Sequence, residues 1–103
     1  MYPEITTTEL AERLAKGEKL NLVDVRERDE WQEGHIAEAR LIPMSELADR
    51  VDELKADEEP VILICRSGGR SGKVCDYLHA QGIPVINVTG GMLSWMGATV
   101  SGE

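Results

Sequence analysis

The sequence predicts an α/β fold in which a mostly parallel central sheet is sandwiched between helices. Three observations lead to it. Short apolar runs rich in β-branched residues alternate along the chain with segments of helical periodicity. The most apolar run, Val61-Ile62-Leu63-Ile64, is continuous rather than alternating, the pattern of a strand buried on both faces. It is followed at once by a glycine-containing loop and an amphipathic helix, the order of a strand-loop-helix unit. The 103 residues suit one domain, taken as residues 1–103.

Thr6-Thr7-Thr8-Glu9 reads as a capping box, with Thr6 as N-cap and Glu9 reaching back. Leu10, Leu14 and Ala11 form the inward stripe of the helix that follows, and Gly17 ends it. Leu20 to Val25 reads as a buried strand that turns charged at Arg26, and a helical turn spans Asp29 to Gln32 before Gly34. Ala39 to Ile42 is a brief strand closed by Pro43. Ser45 is expected to cap a helix with Leu47, Val51 and Leu54 on one face. Asp57-Glu58-Glu59-Pro60 marks a solvated turn before the central strand. A helix from Arg70 or Ser71 runs to Gln81 and stops at Gly82, with Val74, Cys75 and Leu78 inward and Lys73, Asp76 and His79 outward. A last strand, Val85 to Val88, leads through Thr89-Gly90-Gly91 into a short helix carrying Met92, Leu93, Trp95 and Met96.

Eleven basic against nineteen acidic side chains give a net charge of -8, which argues against nucleic acid or an anionic membrane as partner. No apolar run is long enough to span a bilayer, and Met1-Tyr2-Pro3-Glu4 lacks the features of a signal peptide, so the expected location is the cytoplasm. Two cysteines are too few for a disulfide framework, and their spacing matches no zinc-ligand pattern. A monomer is expected.

Cys65 stands at the carboxyl end of the most buried strand, where open α/β sheets place their ligands. Gly68 and Gly69 let the backbone curl so that successive N–H groups point at one spot, and the helix beginning near Arg70 adds the positive end of its dipole. A free thiol titrates near 8.5, and lowering it by about two units requires about 2.7 kcal/mol in favour of the thiolate. A helix terminus supplies roughly 0.3 to 1 kcal/mol. Converging N–H groups and the cations of Arg66 and Arg70 are expected to supply the rest. Those arginines also explain how an acidic protein would hold an anionic donor.

Cys65-Arg66-Ser67-Gly68-Gly69-Arg70-Ser71 after an apolar strand resembles the active-site loop of single-domain rhodaneses. Asp24-Val25-Arg26-Glu27, Glu30-Trp31, Gly34-His35-Ile36 and Ile42-Pro43 resemble the upstream signature of that family. Gly90-Gly91-Met92 with Trp95 resembles its terminal one. The resemblance implies a sheet of about five strands flanked by helices on both faces, and a ping-pong sulfur transfer. The Cys65 thiolate would take the outer sulfur of thiosulfate, a polysulfide or a persulfide, hold it as a persulfide, and yield it to cyanide, a small thiol or a protein cysteine. Arg66, Ser67, Gly68, Gly69, Arg70 and Ser71 would form the substrate pocket, with Arg70 the firmer ligand and Arg66 free to swing away. No metal or organic cofactor is implied. The family often has Gly where Glu38 stands and Ala where Gly72 stands, departures that bear on stability more than on activity.

Other residues have plainer readings. Cys75 packs in the core, and Asp24, Arg26 and Glu27 form a structural ion-pair cluster. His35 is a satisfied structural histidine, because a preformed thiolate needs no base. His79 is exposed, and Trp31 and Trp95 belong to the core. A cysteine phosphatase or arsenate reductase is the rival enzyme class, but those families place five residues between Cys and Arg, whereas four separate Cys65 from Arg70. The rival from another class is a silent rhodanese-like module that only binds a protein.

Overall fold

The computed structural model describes residues 2–55 and 59–102. Its element order is β1 (Glu4–Thr6), α1 (Thr7–Ala15), β2 (Asn21–Asp24), α2 (Arg28–Glu33), β3 (Arg40–Leu41), a 3-10 helix (Met44–Arg50), α3 (Val51–Lys55), β4 (Val61–Ile64), α4 (Gly69–Ala80), β5 (Val85–Thr89) and α5 (Gly91–Ser94). The five strands form one sheet in the order β1-β5-β4-β2-β3, and every adjacent pair is parallel. Asp57 and Glu58 of the expected solvated turn lie outside the described residues.

The strands form because alternate residues have a core to enter on each side. Along β4, Val61 and Leu63 join one apolar cluster, while Ile62 and Ile64 join the other. The first cluster is closed by Leu47 of the 3-10 helix, Val51 and Leu54 of α3, and Val74, Cys75 and Leu78 of α4. The second is closed by Leu10 of α1, with Leu14, Met92 and Trp95 packed against it. Helices therefore cover both faces of the sheet, and Cys65, one step beyond Ile64, falls on the α4 side.

From β2 the chain moves outward to β3, then returns to place β4 on the other side of β2, and continues away to β5. Connections thus leave the carboxyl ends of β2 and β4 in opposite directions, which opens a crevice there in doubly wound sheets. Arg26 and Cys65 stand at its two lips.

The structure bears out the capping box: the Thr6 side chain accepts the Glu9 N–H at 3.1 Å and Glu9 accepts the Thr6 N–H at 3.0 Å. Three expectations are corrected. Residues Glu4–Thr6 form an edge strand that no apolar pattern in the sequence announces. Ser45 lies inside the 3-10 helix rather than capping an α-helix, and its hydroxyl donates to Glu27 at 2.8 Å. Trp95 and Met96 fall beyond the end of α5, and Met96 is almost fully exposed.

Candidate active site

β4 delivers Cys65 to the crevice, and three backbone features hold it there. The Cys65 carbonyl accepts the Met92 N–H at 2.8 Å and the Arg66 carbonyl accepts the Leu93 N–H at 2.9 Å, so α5 anchors the loop from behind. Gly68 has φ of 104°, a conformation L side chains rarely adopt, and it immediately precedes α4. The turn it makes brings the Gly68 N–H to 3.0 Å from the Cys65 Sγ.

Burial by itself would push the Cys65 thiol up. The Ser71 hydroxyl and the backbone N–H groups of Ser71, Gly68 and Ser67 outweigh it and hold the thiol below its ordinary value. The Ser71 Oγ lies 3.4 Å from Sγ, 3.2 Å from the Gly68 carbonyl and 2.6 Å from the Asn87 Oδ1. Its single proton serves one acceptor at a time, so the Asn87 Oδ1, the Gly68 carbonyl and the thiolate compete for it. Cys65 is buried, as a cysteine that merely packs would be, but packing alone would not aim donors at its sulfur. Cys75, equally buried, meets no such donors among the described residues, and burial pushes its thiol up to about 12.

The two arginines sit in different settings. The guanidinium of Arg70 forks onto Glu30, with Nη1 2.7 Å from Oε1 and Nη2 2.8 Å from Oε2. Arg66 is exposed at the rim of a cavity of about 310 Å³, lined also by Arg26, Glu30, Glu33, Met92 and Leu93. Ser67 and Gly69 are exposed on the loop, while Ser71 is fully buried.

The neighbouring signature residues are structural. Arg26 donates from Nε and Nη2 to Asp24 at 2.9 to 3.1 Å and from Nη2 to the Gly34 carbonyl at 2.7 Å, all nearly out of contact with water. His35 donates from Nδ1 to the Trp31 carbonyl at 2.7 Å and stacks on the Trp31 ring at 3.5 Å. Trp31 is half-buried rather than a core residue. Glu30 and Asn87 were given no role from sequence, yet both touch the loop. Glu30 stood in a recognised motif, whereas nothing local pairs it with a residue forty positions away.

A Rhodanese-like domain model matches residues 6–98. The chain belongs to the rhodanese-like domain family. Among relatives of this rhodanese domain, YtwF of Bacillus subtilis is 45% identical over 96 residues, covering 93% of this chain and 92% of that protein. A sulfurtransferase of Allochromatium vinosum is 40% identical over 96 residues, covering 92% of this chain and 89% of that one. The crystal structure of a rhodanese-like domain protein from Staphylococcus aureus superposes with a TM-score of 0.90 at 36% identity, over 98% of this chain and 99% of that one. The rhodanese fold expected from the sequence, a parallel sheet of five strands between helices, is the fold observed.

Proposed function

We propose that the domain is a sulfurtransferase in which Cys65 carries a sulfane sulfur from a donor to a thiophilic acceptor. The observation that carries this reading is the set of donors converging on one buried sulfur: the Gly68 N–H at 3.0 Å, the N–H groups of Ser67 and Ser71, and the Ser71 hydroxyl. Those groups favour the thiolate, the form that attacks sulfur. They also suit the next species. After attack on thiosulfate, the new Sγ–S bond forms as the donor's S–S bond breaks, and its electron pair leaves with sulfite. The terminal sulfur of the resulting persulfide is again an anion, and N–H groups around a tight loop are suited to hold it. A persulfide or polysulfide donor releases a thiolate or a shortened polysulfide by the same exchange.

An acceptor, cyanide or a thiolate, then attacks the terminal sulfur and the Cys65 thiolate leaves. Cys65 is the catalytic residue, and Ser67, Gly68 and Ser71 hold the anion. Arg66 stands exposed at the rim, Arg70 is held by Glu30, and the left-handed Gly68 gives the loop its curl before Gly69 opens α4. Ping-pong kinetics with thiosulfate and cyanide, and loss of thiocyanate production in Cys65→Ser, are the expected results. Transfer that survives in Cys65→Ser would overturn the assignment. The short loop is suited to one sulfur rather than a tetrahedral phosphoryl group, so hydrolysis of an aryl phosphate is expected to be negligible.

A further inference from the structure

The cations beside the loop are each set against a carboxylate. Arg26 is matched by Asp24 behind it. Arg70 is matched by Glu30, which lies 2.7 and 2.8 Å from its two terminal nitrogens. Arg66 and Glu33, one charge of each sign, both line the cavity. Arg70 lies close enough to Cys65 for the two charges to interact.

We propose that Glu30 is a positioning residue that sets the charge class of the sulfur donor: by engaging the Arg70 fork it makes the site favour monoanionic donors over dianionic ones. The inference rests on the sulfurtransferase reading. A guanidinium that donates two bonds to a carboxylate has its charge compensated and its terminal donors already engaged. A dianion then meets little net attraction in a protein whose overall charge is -8. A donor with one charge fewer loses less. Met92 and Leu93 on the same wall, the latter two-thirds exposed, add apolar surface that suits a donor bearing an organic group.

The matched probes are thiosulfate, a dianion, and methanethiosulfonate, a monoanion with the same transferable sulfur. In each case the Cys65 thiolate forms a bond to the sulfane sulfur while the bond between that sulfur and the sulfonyl sulfur breaks. The electron pair departs with sulfite from one donor and with methanesulfinate from the other. The measurement is the ratio of kcat/KM for the two donors, with cyanide as acceptor. A partly unfolded preparation lowers both values alike and leaves the ratio unmoved.

Glu30→Gln is expected to raise the thiosulfate to methanethiosulfonate ratio by about fivefold or more, because it frees one positive charge near the donor. Glu30→Asp, which keeps the charge, should bring the ratio back toward that of the unmodified protein. Adding Arg70→Gln to Glu30→Gln should abolish the gain, since the effect acts through Arg70. A ratio unchanged in Glu30→Gln, or raised equally in the double variant, would overturn the inference while leaving sulfur transfer intact. Failure of the unmodified protein to take sulfur from either donor would overturn the sulfurtransferase reading and this inference with it.

Discussion

At the scale of single residues, the contrast between Cys65 and Cys75 isolates what makes a thiol reactive. Both are buried. Burial dominates at Cys75, whereas at Cys65 the Ser71 hydroxyl and three backbone N–H groups reverse its effect. Two outcomes follow. Iodoacetamide should alkylate Cys65 with a pH midpoint below that of an ordinary free thiol, while Cys75 stays unmodified in the folded protein. Ser71→Ala, lacking the hydroxyl, should move the Cys65 midpoint upward, by up to about one unit if the lost bond contributes on the order of 1 kcal/mol. A midpoint unmoved in Ser71→Ala would mean that the backbone alone holds the thiolate.

At the scale of elements, the loop works because two helices grip it. α4 begins at the Gly68 turn, and α5 donates the Met92 and Leu93 N–H groups to the Cys65 and Arg66 carbonyls. Gly91, with φ of 55°, sits so close behind the loop that a Cβ there would collide with the Cys65 and Arg66 backbone. Gly91→Ala should therefore displace the loop and cost activity as well as stability. Gly17→Ala meets no neighbouring atom, so strain at its φ of 78° is its only cost. Arg28→Ala, which removes only a surface pair with Glu46, should matter little beside Arg26→Ala, which leaves Asp24 buried and uncompensated at a cost of about 3 to 5 kcal/mol, readable as a lower urea midpoint.

The elements also show how far the sequence could be read. The continuous apolar run of β4 announced a buried strand, because two-sided burial leaves no alternation to hide it. Cys65 with its glycines and helix announced the site for the same local reason. β1 was not legible: two of its three residues are exposed, and only pairing with Asn87, Val88 and Thr89 makes it a strand. The 3-10 geometry of Met44–Arg50 hid behind a pattern of Leu47, Val51 and Leu54 that fits an α-helix as well. The Glu30–Arg70 fork was invisible because its partners meet only through the fold.

At the scale of the whole molecule, that fork ties α2 to the loop and makes stability depend on acid. The Arg70 guanidinium holds the Glu30 carboxyl down to about 2, well below the usual carboxylate range. A carboxyl depressed in the folded state stabilises fully above its unfolded value and ceases to do so as pH falls through its folded one. After solvent screening of a pair that is about a third exposed on the arginine side, the contribution is on the order of 1 to 2 kcal/mol. Urea midpoints between pH 5 and pH 2 should therefore fall less steeply in Glu30→Gln than in the unmodified protein. Equal slopes would contradict a stabilising fork.

The most direct measurement of the central claim is the intact mass of the protein after incubation with a sulfur donor, with Cys65→Ser and Cys75→Ser alongside. One added sulfur in the unmodified protein and in Cys75→Ser, removed by cyanide and absent from Cys65→Ser, is the predicted result. A protein that gains no sulfur from thiosulfate, methanethiosulfonate or a small persulfide would contradict it.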